Sequence, residues 1–307
     1  MQKAPIKVLY ILGFGRSGST LLDLLLGGID GFFSTGELQS LWQESLIDGR
    51  LCGCGVPVAD CKLWSEILGG RDGTHLGMTP EELAALQDER LHFPALGPRF
   101  RTAGRSEADW SAFAGAFDTL YRRIAAVTEA RVIVDSSKLP TATRALRRLD
   151  SIELYYLQLV RDARAVAFSW LRTKEAIDRT RLGQMERLGV MRSTATWVAR
   201  QLAAERTRAS TATPSMLVRY EDLVANPAAT VARVAAMVGE PGPDLSFIDG
   251  QAVRLDVNHT VSGNPVRLQE GTLHIREDTE WQAGLPRSAR LAVTGMAAPL
   301  LKRYGYL

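Results

Sequence analysis

The sequence predicts an α/β domain in three layers, with a central parallel sheet flanked by helices. Three observations carry that expectation. Short β-branched and aliphatic runs recur along the chain, each is followed by helical patterning, and the first one ends in a glycine-rich turn that opens a helix. The 307 residues are 46% hydrophobic and 23% charged, the composition of an ordinary folded protein rather than of a disordered, collagenous or coiled-coil one.

The first run, Ile6-Lys7-Val8-Leu9-Tyr10-Ile11-Leu12, suits a strand buried on both faces. A turn leads to a short helix from Ser19 to Gly28, closed by two glycines. Gly31 to Thr35 makes a poor second strand. Thr79-Pro80-Glu81-Glu82 has the cap, first-turn proline and third-position glutamate of a capping box, and opens a helix to about His92. Residues 94–106 read as an exposed connection before a helix from Asp109 to Glu129. Further strands fall at 131–134, 152–160 and 216–220. The charge-rich stretch 172–192 lacks apolar periodicity and is expected to be a mobile excursion. Residues 240–271, rich in Gly, Pro and Asn, are expected to form a long functional loop. No linker or repeat interrupts the chain, so 1–307 is taken as a single domain.

Lysine and arginine exceed aspartate and glutamate by three, too small a surplus for nucleic acid or membrane binding by bulk charge. No apolar run approaches the roughly 20 residues that a membrane span requires, and no signal peptide is recognisable. With three cysteines this reads as a cytoplasmic protein without stable membrane insertion or a nucleic acid partner. Cys52, Cys54 and Cys61 are separated by two and seven, and neither His75 nor His92 stands at a usual ligand spacing. The group is therefore read as a disulfide or as packed thiols, and no metal is expected.

Gly13-Phe14-Gly15-Arg16-Ser17-Gly18-Ser19-Thr20 joins a strand to a helix, where free amides and the positive end of the helix dipole favour an anion. As a dinucleotide fingerprint, glycines 13, 15 and 18 would pair with Glu37 as the ribose-binding acid, but the helix is short and the second strand poor. As a Walker loop the spacing fits except that Ser19 stands where the lysine belongs, and Val134-Asp135 is the only candidate for a magnesium-binding aspartate. Arg16 instead puts a permanent forked cation inside the turn.

A P-loop-like fold with a basic residue inside the loop, here Gly15-Arg16-Ser17-Gly18-Ser19-Thr20-Leu21, resembles the sulfotransferases that use 3′-phosphoadenosine 5′-phosphosulfate. Val160-Arg161-Asp162 with Ser169 is similar to their second signature. Arg219-Tyr220-Glu221-Asp222-Leu223 with Asn226-Pro227 is similar to the third, and Asn258-His259-Thr260-Val261-Ser262-Gly263-Asn264-Pro265-Val266-Arg267 to the late loop over the nucleotide. The cysteine stretch with Trp64, and Arg303-Tyr304-Gly305-Tyr306, resemble bacterial members.

The resemblance implies in-line transfer of a sulfuryl group to an acceptor hydroxyl, without metal, leaving adenosine 3′,5′-bisphosphate. It implies that Gly15, Arg16, Ser17, Gly18, Ser19 and Thr20 cradle the donor and that Arg161, Ser169 and Arg267 hold the 3′-phosphate. Tyr220 either contacts the adenine or lies behind it. Glu37, 21 residues after Arg16, resembles the catalytic glutamate of the tyrosylprotein branch, with His259 as the runner-up base. Arg16 and Lys138 would stabilise developing negative charge. The acceptor is read only as a hydroxylated small molecule, lipid or carbohydrate, its pocket built by 48–106 and 172–192, and the oligomeric state is not legible. An ATP-dependent P-loop small-molecule kinase and a catalytically silent nucleotide-binding paralogue stand as alternatives.

Overall fold

A computed structural model describes residues 4–69, 77–91, 107–172, 177–178 and 187–307. Its centre is a sheet of β1 (Ile6–Gly13), β2 (Phe32–Gly36), β3 (Val132–Lys138), β4 (Ile152–Val160) and β5 (Ser215–Arg219). All are parallel, in the spatial order β2-β3-β1-β4-β5. Alternation along β1 sends Val8, Tyr10 and Leu12 into one apolar layer and Leu9 and Ile11 into the other, so both faces need helices. The helices α1 (Ser19–Gly27), α2 (Lys62–Leu68), α3 (Pro80–Leu91), α4 (Glu107–Thr128), α5 (Thr143–Leu146), α6 (Ala163–Leu171), α7 (Val190–Ala209), α8 (Tyr220–Ala225), α9 (Pro227–Met237), α10 (Trp281–Gly284) and α11 (Arg287–Arg303) supply them. Leu22, Leu25 and Leu26 of α1 pack with α9 on one face, and Phe117, Leu120 and Ile124 of α4 pack with α2 on the other. A third apolar cluster joins α6, α7 and α11. No helix among the described residues is long and apolar enough to cross a membrane.

The capping box before α3 forms both of its reciprocal bonds, Thr79 N–H to Glu82 Oε2 at 2.8 Å and Glu82 N–H to Thr79 Oγ1 at 3.2 Å. Two readings are corrected. Residues 32–36 do form a strand, at the sheet edge, where pairing with β3 overrides the weak propensity of Ser-Thr-Gly. The 240–271 segment is not a continuous loop. It contains β6 (Ile248–Asp249) and β7 (Ala252–Leu255), which pair antiparallel with each other and with β8 (Gly271–His274), and Ile248, Val253 and Leu255 pin these strands to the core. The expected connection at 94–106 lies outside the described residues, as does most of the 172–192 excursion. The last three residues of that stretch belong to α7.

Candidate active site

Five sequence-selected positions stand at the carboxyl ends of the five parallel strands. Glu37 follows β2, Lys138 ends β3, the 14–18 loop follows β1, Arg161 follows β4 and Tyr220 follows β5. The strand order therefore sets them out as Glu37, Lys138, loop, Arg161, Tyr220. At about 4.8 Å per strand the row spans roughly 19 Å. Ligands of open α/β sheets bind at this edge, where the connections diverge to either side. The order also separates this fold from the dinucleotide type, because β3 lies between β1 and β2 and takes Glu37 away from the loop's neighbouring strand.

Above the row lies a cleft of about 600 Å³. Among the described residues, Arg16, Arg50, Lys138, Arg161 and Arg200 line it against Glu37, Glu44 and Asp278, so it is a local basic site on a nearly neutral protein. Arg16, Lys138 and Ser262, at φ of 67°, 64° and 57°, are three of the four described non-glycine residues with left-handed backbone, and all three line this cleft. Such conformations cost about 1–3 kcal/mol each and persist where the surroundings over-determine them, typically at functional sites.

The loop is shaped by aromatic rings. Gly18 has φ of 92°, and a Cβ there would lie 2.4 Å from Tyr220 Cδ2, so only glycine lets the ring close against the start of α1. The Arg16 guanidinium sits 5.0 Å from the Trp170 ring centre, which itself stacks on Phe14. Thr20 Oγ1 accepts from the Asn264 amide at 3.0 Å, tying the late loop to α1. Lys138 Nζ donates to Ser19 Oγ at 3.2 Å. The cation that a Walker loop carries at position 19 is thus brought to the same place from the end of β3.

Lys138 Nζ also meets Glu37 Oε1 at 2.7 Å, and Gln39 Nε2 donates to Glu37 Oε2 at 3.3 Å. Burial works to raise the Glu37 carboxyl, but Lys138, Gln39 and Arg50 outweigh it and hold the group below its ordinary 4.5, hence ionised at neutral pH. The carboxylate is placed by its own backbone. Glu37 N–H donates to Val261 O at 2.9 Å, and Gly36 takes φ of 72° with no room for a Cβ beside the Val261 carbonyl. Below it, Asp23 accepts from Ser34 and Ser136, and burial lifts its carboxyl to about 7.

At the other end Arg161 lies 4.4 Å from the Tyr220 ring centre, donates to Arg16 O at 3.1 Å and pairs with Asp278 Oδ2 at 2.8 Å. Ser169 lines the same end. Tyr306 donates to Glu221 Oε2 at 2.6 Å, and Glu221 Oε1 accepts from the Asp162 amide at 3.2 Å, so the chain's last tyrosine braces the second and third signatures together. Buried polar atoms of cleft residues, Trp170 Nε1 and Asp278 Oδ1 among them, have no hydrogen-bond partner among the described residues. A polar ligand suits such a lining.

Three expectations are corrected. Arg267 is fully buried and outside the cleft lining. Its guanidinium donates to Thr260 O and Leu51 O and faces Asp178, which leaves it no route to a 3′-phosphate. His259 is not a runner-up base: it turns from the cleft toward Cys52 and Cys61. Asp135, the magnesium candidate of the kinase alternative, is buried under Tyr121 Oη, at 2.6 Å, and the Ser137 amide. Ser17 also lies below the cleft, 1% exposed. Sequence reasoning missed Arg50, Glu44, Arg200, Trp170 and Asp278. Arg50 donates to Ser262 Oγ at 2.5 Å and pairs with Glu44 at 2.7 Å, while Arg200 projects from the middle of α7. None of the five stands in a motif.

Comparison with known proteins agrees with this geometry. The profile of the sulfotransferase family matches residues 9–244, and the chain belongs to that family. No curated protein sequence shows significant similarity to it. Among solved structures it is similar to the sulfotransferase domain of the Synechococcus PCC 7002 olefin synthase, with 20% identity and a TM-score of 0.50 over 97% of this chain and 96% of that one. It is also similar to the sulfotransferase domain from the curacin biosynthetic pathway, with 19% identity and a TM-score of 0.54 over 97% and 98%. At these identities the likeness is one of fold.

Proposed function

We propose that the chain transfers a sulfuryl group from 3′-phosphoadenosine 5′-phosphosulfate to a hydroxyl of a small-molecule, lipid or carbohydrate acceptor, with Glu37 as general base. The observation that carries this reading is the row of groups along the sheet edge, with Lys138 beside Ser19 between the glutamate and the loop. The ionised Glu37 takes the acceptor proton as the new oxygen–sulfur bond forms. The bond from sulfur to the 5′-phosphate oxygen breaks, and the charge that gathers on that oxygen meets Lys138, Arg16 and the amides opening α1. Arg161, with Ser169 nearby, suits a 3′-phosphate because its fork meets two oxygens at once. Tyr220, under that guanidinium, lines the same end of the cleft and would pack beside the adenine.

The kinase alternative is weakened by Asp135, whose carboxylate is consumed inside the core. A transfer assay with isotopically labelled donor against a panel of hydroxylated compounds, read by mass, tests the proposal. A gain of one sulfuryl group on an acceptor is the expected result. Transfer from ATP instead, dependent on magnesium, would refute it.

A further inference from the structure

Outside the cleft, the described residues hold one group of side chains with the composition of a metal site. Cys52, Cys54, Cys61 and His259 each present a ligand atom within 4.8 Å of the others. We propose that this Cys3His group binds a structural zinc ion.

Three of the six ligand-to-ligand distances are those that a tetrahedral ion requires, and the other three are within 4.8 Å. Zinc–sulfur bonds of about 2.3 Å and zinc–nitrogen bonds of about 2.0–2.1 Å give sulfur–sulfur edges of ~3.8 Å and sulfur–nitrogen edges of ~3.6 Å. Cys54 Sγ and Cys61 Sγ are 3.7 Å apart, and His259 Nδ1 lies 3.6 Å from Cys52 Sγ and 3.4 Å from Cys61 Sγ. The three thiols are free, and a single disulfide would strand the third sulfur and the imidazole. Four ligands close the coordination sphere, as in structural rather than catalytic zinc sites. None of the four lines the cleft, which keeps the ion out of the chemistry.

The backbone around the group is built to converge. Cys52 and Cys54 sit in a tight hairpin closed by the Cys52 N–H to Val56 O bond at 2.7 Å, and Cys61 stands immediately before α2. His259 arrives from nearly two hundred residues away, fixed by an antiparallel bridge between Cys52 and Val261 and by Trp64 Nε1, which donates to His259 O at 2.7 Å. The amides of Cys54 and Trp64 point at the sulfurs of Cys52 and Cys61, the outer-shell donors that orient thiolate ligands. The ion would fasten the hairpin and α2 to the late loop two residues before Val261, the residue that holds Glu37 by its amide.

Wild-type protein purified under reducing conditions without chelator, assayed by plasma mass spectrometry, is expected to carry about one zinc per chain. His259→Ala and Cys61→Ser should each lower that content at least about tenfold. Because these variants can fail to fold, the wild-type protein gives the second reading. Cobalt(II) exchanged into it should produce the visible bands of a tetrahedral ion together with thiolate-to-metal charge transfer. Wild-type protein that holds no zinc and gives no such spectrum with cobalt, or that yields a Cys54–Cys61 disulfide on peptide mapping under these conditions, would overturn the site. Retained sulfuryl transfer by such metal-free protein would leave the proposed activity standing.

Discussion

The charge of Lys138 sets where Glu37 titrates. The Lys138 ammonium holds the carboxyl below 4.5 against a burial that would otherwise raise it, so proton abstraction should persist to mildly acidic pH. Removing the cation, as in Lys138→Met, leaves burial in command, and the acid limb of the kcat profile should move to higher pH. A profile whose acid limb stays in place would show that another group sets it. Glu37→Gln should lose about 10²–10⁴ in turnover while binding adenosine 3′,5′-bisphosphate unchanged by calorimetry. For stability the signs differ. Glu37, depressed, contributes stability above its unfolded value of 4.5 that is lost as pH falls through its folded value. Asp23, raised from 3.8 to about 7, contributes stability that is full below 3.8 and is lost as pH rises through about 7. Asp23→Asn should therefore gain most relative to wild type above neutrality, by up to a few kcal/mol in denaturant midpoints compared at two pH values.

Among the elements, the segments that close the cleft are the most informative. A Cβ at Gly36 would meet the Val261 carbonyl at 2.4 Å, so Gly36→Ala must part β2 from the late loop. We expect a loss of about 1–3 kcal/mol in stability, and a fall in turnover larger than the fall in nucleotide affinity. Asp278 occupies one side of the Arg161 fork, the group proposed for the 3′-phosphate, so the two anions would compete. Asp278→Asn should tighten bisphosphate binding about tenfold, or 1.4 kcal/mol, and unchanged affinity would separate Arg161 from that phosphate. The sequence was legible here where a motif lay beside a strand end: Arg16, Lys138, Arg161 and Tyr220 all reach the cleft. It misled at Arg267, because a loop motif fixes position along the chain and not the side on which a guanidinium finds its carbonyls. Arg50 and Arg200 were invisible because they are single basic residues with no spacing to read.

At the scale of the molecule, the parallel sheet could be read because buried strands are continuous apolar runs, whereas β2 and β6–β8, short and without such a run, could not. The meeting of His259 with three cysteines was hidden for a different reason: their proximity is created by tertiary pairing of distant segments, and local spacing does not record it. Binding of adenosine 3′,5′-bisphosphate at 100 times its dissociation constant should stabilise the whole fold by about 2.7 kcal/mol, as seen in the thermal midpoint, to the same extent with or without added magnesium. A magnesium-dependent increment would favour the kinase reading.

The bond from the Asn264 amide to Thr20 spans 244 positions of chain. During synthesis the strands and their loop emerge first, yet the wall beside the glutamate is the property of a segment made 244 residues after Thr20. A ribosome-stalled chain ending before that segment would have its sheet and still lack a finished pocket, so capture on immobilised bisphosphate would sort chains that include the segment from those that stop short of it.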